Sequence, residues 1–222
     1  MLRTSISVAA AALAATCVLA ACGPVRMGSA AIVGDQRISA TTLGNEVANL
    51  EQAYQANKSK IQLQFPLSQA PQQVLAWLLR FKVRDQMAIR NHVAVSNGES
   101  QRALAAIAAQ AGPTGLKNLA VANGLPPDLL PALGRYAAIQ NALVARLDGG
   151  KAPTSPAAQT AIGNQLNRRQ CEAAKSLNIL INPQFGRLDY GLLSIIPAAN
   201  TLSAPQSPSP ASTARPALTP PC

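Results

Sequence analysis

Residues 72–95 read QQVLAWLLRFKVRDQMAIRNHVAV, and the period of this stretch decides the fold class. Its polar residues Gln73, Arg80, Arg84 and Asn91 step by seven, four and seven, while Leu75, Leu78, Leu79, Phe81, Val83 and Met87 fill the other positions. That spacing predicts one long helix with a wide buried face and a single solvated stripe. Trp77 lies within it, as a core anchor or as part of a binding surface. Asn97-Gly98 is expected to end this helix, and Ser96 or Ser100 to cap an alanine-rich helix over about 101–110.

The same reading extends to both sides. Upstream, Leu43, Val47, Leu50 and Tyr54 step by four, three and four behind Ser39, a suitable N-cap, so a helix should run to about Asn57. Pro66 and Pro71 break the loop that follows. Downstream, Gly112-Pro113 breaks the chain, and a helix from Thr114 should close at Gly124. Pro126-Pro127-Asp128 opens another helix, with Leu129, Leu133, Tyr136, Leu143 and Leu147 as its stripe, which stops at Gly149-Gly150. Residues 151–156 form a connector to a last helix over about 157–176. Residues 30–33 read as a short strand, turned at Gly34-Asp35 into the helix that starts at Ser39. The run Leu177-Asn178-Ile179-Leu180-Ile181-Asn182-Pro183 reads as a returning strand. Strands this short do not stand alone, so they should pair. The expected fold is mostly α, about six helices closed by a short two-stranded pairing of the N- and C-terminal strands.

Ahead of this domain, Arg3, an apolar stretch over about 6–19 and small residues make up an export signal. The stretch is short for a membrane-spanning helix. It ends in Leu19-Ala20-Ala21-Cys22, which resembles the lipobox of bacterial lipoproteins. The resemblance implies a leader over 1–21, acylation of Cys22 on its sulfur and its new amino group, and a short tether over 22–29. Two or three acyl chains hold a protein at a membrane where one does so marginally. The expected location is therefore the extracytoplasmic face of the cell membrane, within the cell envelope. From Ser203 onward, six prolines, four serines and the lone charge of Arg215 describe a disordered tail, because so little apolar surface cannot offset its ordering entropy. About 30–190 remains for one folded domain.

The formal charge is +10, of which Arg3 leaves with the leader. The basic residues are scattered rather than clustered, and aromatics make up 3% of the chain, which argues against nucleic acid as a partner. Anionic headgroups and envelope polymers suit such a surface better. Of the 4 cysteines, Cys171 reads as a buried helix-face residue, with pairing to Cys222 as the alternative. Enzyme chemistry finds little to work with. The 1 histidine, His92, excludes a two-histidine metal site, acids are dispersed, and there is no phosphate-cradling glycine loop. No cofactor or metal is expected.

Two motifs at the domain's ends carry a family likeness. Ile32 to Ser39 is a strand, a turn and an Ile-Ser helix start, and Asn182-Pro183-Gln184-Phe185-Gly186-Arg187-Leu188-Asp189 follows the last strand. Together they resemble the helical domain of SurA- and PrsA-type extracytoplasmic folding factors, related in fold to the peptide-binding part of trigger factor. Gln184 and Leu188 depart from the usual Arg and Trp. In those factors a parvulin-type prolyl isomerase with paired histidines interrupts the helical block, and here that place holds only the connector 151–156. The resemblance therefore implies a membrane-anchored, chaperone-like protein that holds unfolded or exported polypeptides without isomerase activity. An envelope scaffold that binds one defined protein is the alternative. The candidate peptide-binding residues are Trp77, Phe81 and Tyr136, each equally readable as core.

Overall fold

The computed structural model describes residues 28–112, 115–150 and 155–197. The leader, Cys22, the Pro/Ser-rich segment 203–222 and Cys222 lie outside the described residues. Strands β1 (Ser29–Val33) and β2 (Gln36–Ser39) form an antiparallel hairpin with Ile32 opposite Arg37 and Val33 opposite Gln36. Gly34 makes the turn at φ +62, a conformation that a side chain would strain. Residues 36–39 are thus a second strand rather than a passage into the helix. Ile38 joins the core while Gln36 and Arg37 stay exposed. Ser29, expected in the tether, is fully buried in β1.

Ser39 caps helix α1 (Ala40–Ala56) by accepting from the Thr42 N–H at 2.9 Å, and Leu43 and Leu50 face the core. Helix α2 (Ala70–Arg90) begins ahead of residue 72, since Pro71 in a first turn lacks only an N–H that would have no helical partner. It ends at Arg90, not near Val95. His92 turns the chain at φ +50, and the Asn91 amide donates to the Met87 carbonyl at 2.8 Å. Asn97-Gly98 opens helix α3 (Asn97–Ala111) instead of closing α2. The deciding signal is Ser96-x-x-Glu99: Ser96 Oγ accepts from the Glu99 N–H at 3.2 Å, and Glu99 Oε2 accepts from the Ser96 N–H at 2.7 Å. This reciprocal cap outweighs the glycine.

Helix α4 (Gly115–Ala122) leads to Gly124 at φ +75. Helices α5 (Leu130–Leu147) and α6 (Pro156–Ser176, capped by Ser155) follow. Strand β3 (Leu180–Ile181) then returns to β1, with Ala31 opposite Ile181 and Ile32 opposite Leu180. The expected pairing of the end strands is present, within a three-stranded sheet ordered β2-β1-β3. A further hairpin, β4 (Arg187–Asp189) and β5 (Ser194–Ile196), carries the fold past the expected edge near residue 190.

The molecule is mostly α, with six helices and two small antiparallel sheets among the described residues. Helix α2 is its axis. Val74, Leu75, Leu79, Val83 and Met87 are fully buried, and α2 packs on α1, α5, α6, β1 and β5. The expected solvated stripe on α2 is absent. Gln73, Arg80 and Asn91 are half-buried and Arg84 is 5% exposed, because α5 and α6 cover that side as well. Among the described residues no helix is long and apolar enough to cross a membrane.

Candidate functional site

The structure brings the three candidate aromatic residues together. Trp77 and Phe81, one turn apart on α2, have ring centroids 5.8 Å apart at 34°, and Tyr136 of α5 meets Phe81 edge-on at 6.1 Å and 68°. All three are half-buried. Two arginines flank the row: the Arg80 guanidinium lies 5.0 Å from the Trp77 ring centre and that of Arg84 4.3 Å from the Tyr136 ring centre. Such contacts add attraction between cation and ring face. Trp77 Nε1 donates to the Asn123 carbonyl at 3.0 Å, tying α2 to the end of α4, where Leu119 is 50% exposed. Burial holds the Arg80 guanidinium below the usual arginine value, and Tyr136 partly offsets this.

Arg84 is the unusual member. Its Nη2 donates to Tyr136 Oη at 2.6 Å and to Gln170 Oε1 at 3.2 Å, while Nε and Nη1 have no hydrogen-bond partner. No carboxylate pairs with it among the described residues. A buried cation without an acid costs stability, so here the Tyr136 ring and hydroxyl supply most of the compensation. Sequence reasoning placed Arg84 on the solvated stripe and missed this role. A period alone does not say that a second helix covers the polar side.

A second feature is apolar. Ile179, Leu180, Ile181, Leu188, Tyr190 and Ile196 line an open groove of about 600 Å³ between β3 and the β4–β5 hairpin. Leu180 at its mouth is 54% exposed. Asn182 holds the groove's wall in place. Its N–H donates to the Ala30 carbonyl at 2.9 Å, and its Nδ2 to the Ser29 carbonyl at 3.0 Å. Gly186, at φ +117, lets the chain pass against the Ile196 carbonyl, where any Cβ would collide. Asp189 Oδ1 accepts from the N–H groups of Gly191 at 2.8 Å and Leu192 at 3.2 Å, closing the hairpin turn. The sequence reading named the Asn-Pro motif but neither the hairpin nor the groove, whose signal was the apolar Leu188, Tyr190, Ile195 and Ile196 beyond it.

A third, polar groove of about 440 Å³ lies between α2 and α6, with Arg90, Arg168, Arg169 and Glu172 around a floor of Met87 and Ala173. His92 sits just past α2 and is exposed, not on the helix itself. Glu46 of α1 has its carboxyl raised above the usual value, chiefly by burial and then by the nearby Asp128. Among the described residues no three His, Cys, Asp or Glu side chains are grouped to hold a metal ion. Compared with known proteins, the chain matches no family model, no curated protein and no solved structure.

Proposed function

We propose that this chain is a lipid-anchored, chaperone-like protein of the extracytoplasmic membrane face, which holds apolar segments of unfolded or exported polypeptides and has no isomerase activity. The observation that supports this reading is the apolar groove at the sheet end, with Leu180 exposed at its mouth and Tyr190 in its lining. Exposed apolar concavities on an otherwise polar surface mark interaction sites. The row of Trp77, Phe81 and Tyr136, continued by Leu119, offers a second contact surface, whose polar handles are already engaged with Asn123 and Arg84. Anchoring through Cys22 raises local concentration, so weak and rapidly reversible binding suffices.

The alternative reading, an adaptor for one protein, has an observation in its favour. A groove of about 600 Å³ admits a few side chains rather than a broad range of unfolded surface. The test separates the two. Mature protein in detergent is mixed with several unrelated unfolded clients, with Leu180→Asp as control. Suppressed aggregation of all of them, weakened by Leu180→Asp, is expected for the holdase. Failure on every client together with stoichiometric capture of one partner would overturn it.

A further inference from the structure

The polar groove between α2 and α6 shares no lining residue with the apolar groove, and the holding of apolar segments makes no use of it. Gln165, Arg168, Arg169 and Glu172 follow one another at steps of three, one and three, so they stand on one face of α6. Arg90, in the last turn of α2, lines the groove from the other helix. Three guanidinium groups thus surround one concavity of about 440 Å³ with a single carboxylate, Glu172. Among the described residues none of the three arginines is in an ion pair, and the salt bridge found there joins Arg135 to Asp85. Like charges around one groove repel each other, a cost that an anion between them removes.

Arg169 is the fixed point of the cluster. It is half-buried, and its Nη1 donates to Asn91 Oδ1. Asn91 is held in turn to the Met87 carbonyl, by its N–H at 3.0 Å and by its Nδ2 at 2.8 Å. A guanidinium has five N–H donors, and the bond to Asn91 uses one. The same turn disposes of an opposing influence. The last carbonyls of a helix carry partial negative charge, but here Ala88 accepts from the Val93 N–H at 2.9 Å and Ile89 from the His92 N–H at 3.1 Å. Arg90 and Arg168 are exposed, so both can turn toward a ligand that Arg169 holds.

The charge and shape of the cluster select the ligand. One guanidinium fork satisfies the two oxygens of a carboxylate, whereas a phosphate presents more acceptors than one fork can use. Three positive charges against one negative leave an excess of two, which matches the charge of about −1.5 to −2 on a phosphate monoester at neutral pH. A diester carries less. We propose that this groove binds phosphate monoesters, with Arg90, Arg168 and Arg169 on the terminal phosphate and Glu172 limiting the charge the site attracts. The phosphate comes on a small soluble ester or as the headgroup of phosphatidic acid. For the lipid form Ile89, which precedes Arg90 and is 68% exposed, offers an apolar contact.

The test is calorimetric titration of the full chain, purified in a phosphate-free nonionic detergent, with glycerol 3-phosphate and with the diester glycerophosphoglycerol. The monoester should bind at least several-fold more tightly, and its affinity should fall as salt rises. Arg90→Gln and Arg168→Gln change exposed side chains, so they report binding rather than folding. Each should weaken monoester binding about three- to tenfold, the loss of one solvent-screened, charge-assisted hydrogen bond. Glu172→Gln should tighten it. Arg102 of α3, exposed and outside the groove's lining, is the control. An equal loss in Arg102→Gln would show that net charge alone attracts the ester and would overturn the site. Unchanged affinity in Arg90→Gln and Arg168→Gln, equal binding of the diester, or no binding at all overturns it as well. Mixed micelles then separate the sources. Competition by phosphatidic acid and not by phosphatidylglycerol identifies the lipid headgroup, competition by neither leaves the soluble ester as the ligand, and equal competition by both refutes the monoester. Each outcome is independent of the apolar groove, so the chaperone reading stands or fails apart from this site.

Discussion

Gly134 on α5 sits where α3 crosses, and an added Cβ there would lie 2.6 Å from the Ser100 carbonyl oxygen and 3.0 Å from Leu104 Cβ. Both neighbours are fixed parts of helix α3, so relief requires the helices to separate by somewhat less than about 1 Å. Alanine in place of glycine in a helix interior is worth about 1 kcal/mol in the opposite sense. Overpacking against fixed neighbours costs about 1–3 kcal/mol, and backbone contact places this site at the upper end. Gly134→Ala should therefore be destabilising by about 1–2 kcal/mol, a fall in Tm of roughly 3–6 °C for a domain of this size. Gly44 of α1 and Gly163 of α6 supply the control, because an added Cβ at either meets nothing within 4 Å. Gly44→Ala and Gly163→Ala should each raise Tm by a few degrees. Thermal unfolding by circular dichroism of the three variants tests the sign directly. Since Tyr136 follows two residues after Gly134, the shift should also register in Trp77 fluorescence through the Phe81 contact. If Gly134→Ala matched or exceeded the control variants in stability, the close approach of α3 and α5 would be wrong.

Glu46→Gln should stabilise the protein at neutral pH. The raised carboxyl contributes stability below its ordinary value of 4.5 and loses it as pH rises through the folded value, so the difference in Tm should vanish toward pH 4. A neutral-pH Tm unchanged or lowered by Glu46→Gln counts against the strained carboxyl. Ser96→Ala removes the cap of α3 and should cost about 1 kcal/mol, read as a lower urea midpoint with an unchanged slope. Its partner Glu99 is held below the usual carboxylate value by accepting the Ser96 backbone and hydroxyl hydrogens, so this cap weakens as pH falls below about 4.5. Cys22→Ala should move the protein to the soluble fraction while its far-ultraviolet spectrum stays unchanged, and retention on membranes after a salt wash would withdraw the lipid anchor.

The helices were legible because each carries a local signal. The step pattern of Leu43, Val47, Leu50 and Tyr54 and the breaks at Gly112 and Gly124 sit where the structure has α1 and the ends of α3 and α4. What the sequence concealed was cover. Polar residues stepping by seven and four are read as a wet face, yet Arg80 and Arg84 lie under α5 because aromatic rings and the stems of long side chains can share a buried surface. The β4–β5 hairpin was missed for a different reason. Its strands are three residues each, too short for a period, and its turn depends on Asp189 and on Leu193 at φ +45 rather than on an Asn-Gly signal. Trp77, Phe81 and Tyr136 were named as candidates that read equally well as core, and Leu180 and Tyr190 likewise carry no mark in the sequence that separates them from core.

The Asn-Pro motif at the end of the last strand gains a physical account that limits what it can say about function. Asn182 spends its N–H and its side-chain amide on β1, Pro183 starts a short helical turn, Gly186 passes the Ile196 carbonyl, and Asp189 closes the hairpin. Asn182, Pro183, Gly186 and Asp189 are thus explained by closing the domain, without reference to any client. The resemblance built on these four residues therefore speaks to architecture, and the case for peptide binding rests on the groove that Arg187 and Leu188 of the same motif help to line. That groove differs in kind from a packed helical surface, because its walls come from two sheets that share no hydrogen-bonded strand. Two sheets that meet without pairing leave apolar side chains facing each other across a gap, and on the proposed reading that gap is where a polypeptide would be held.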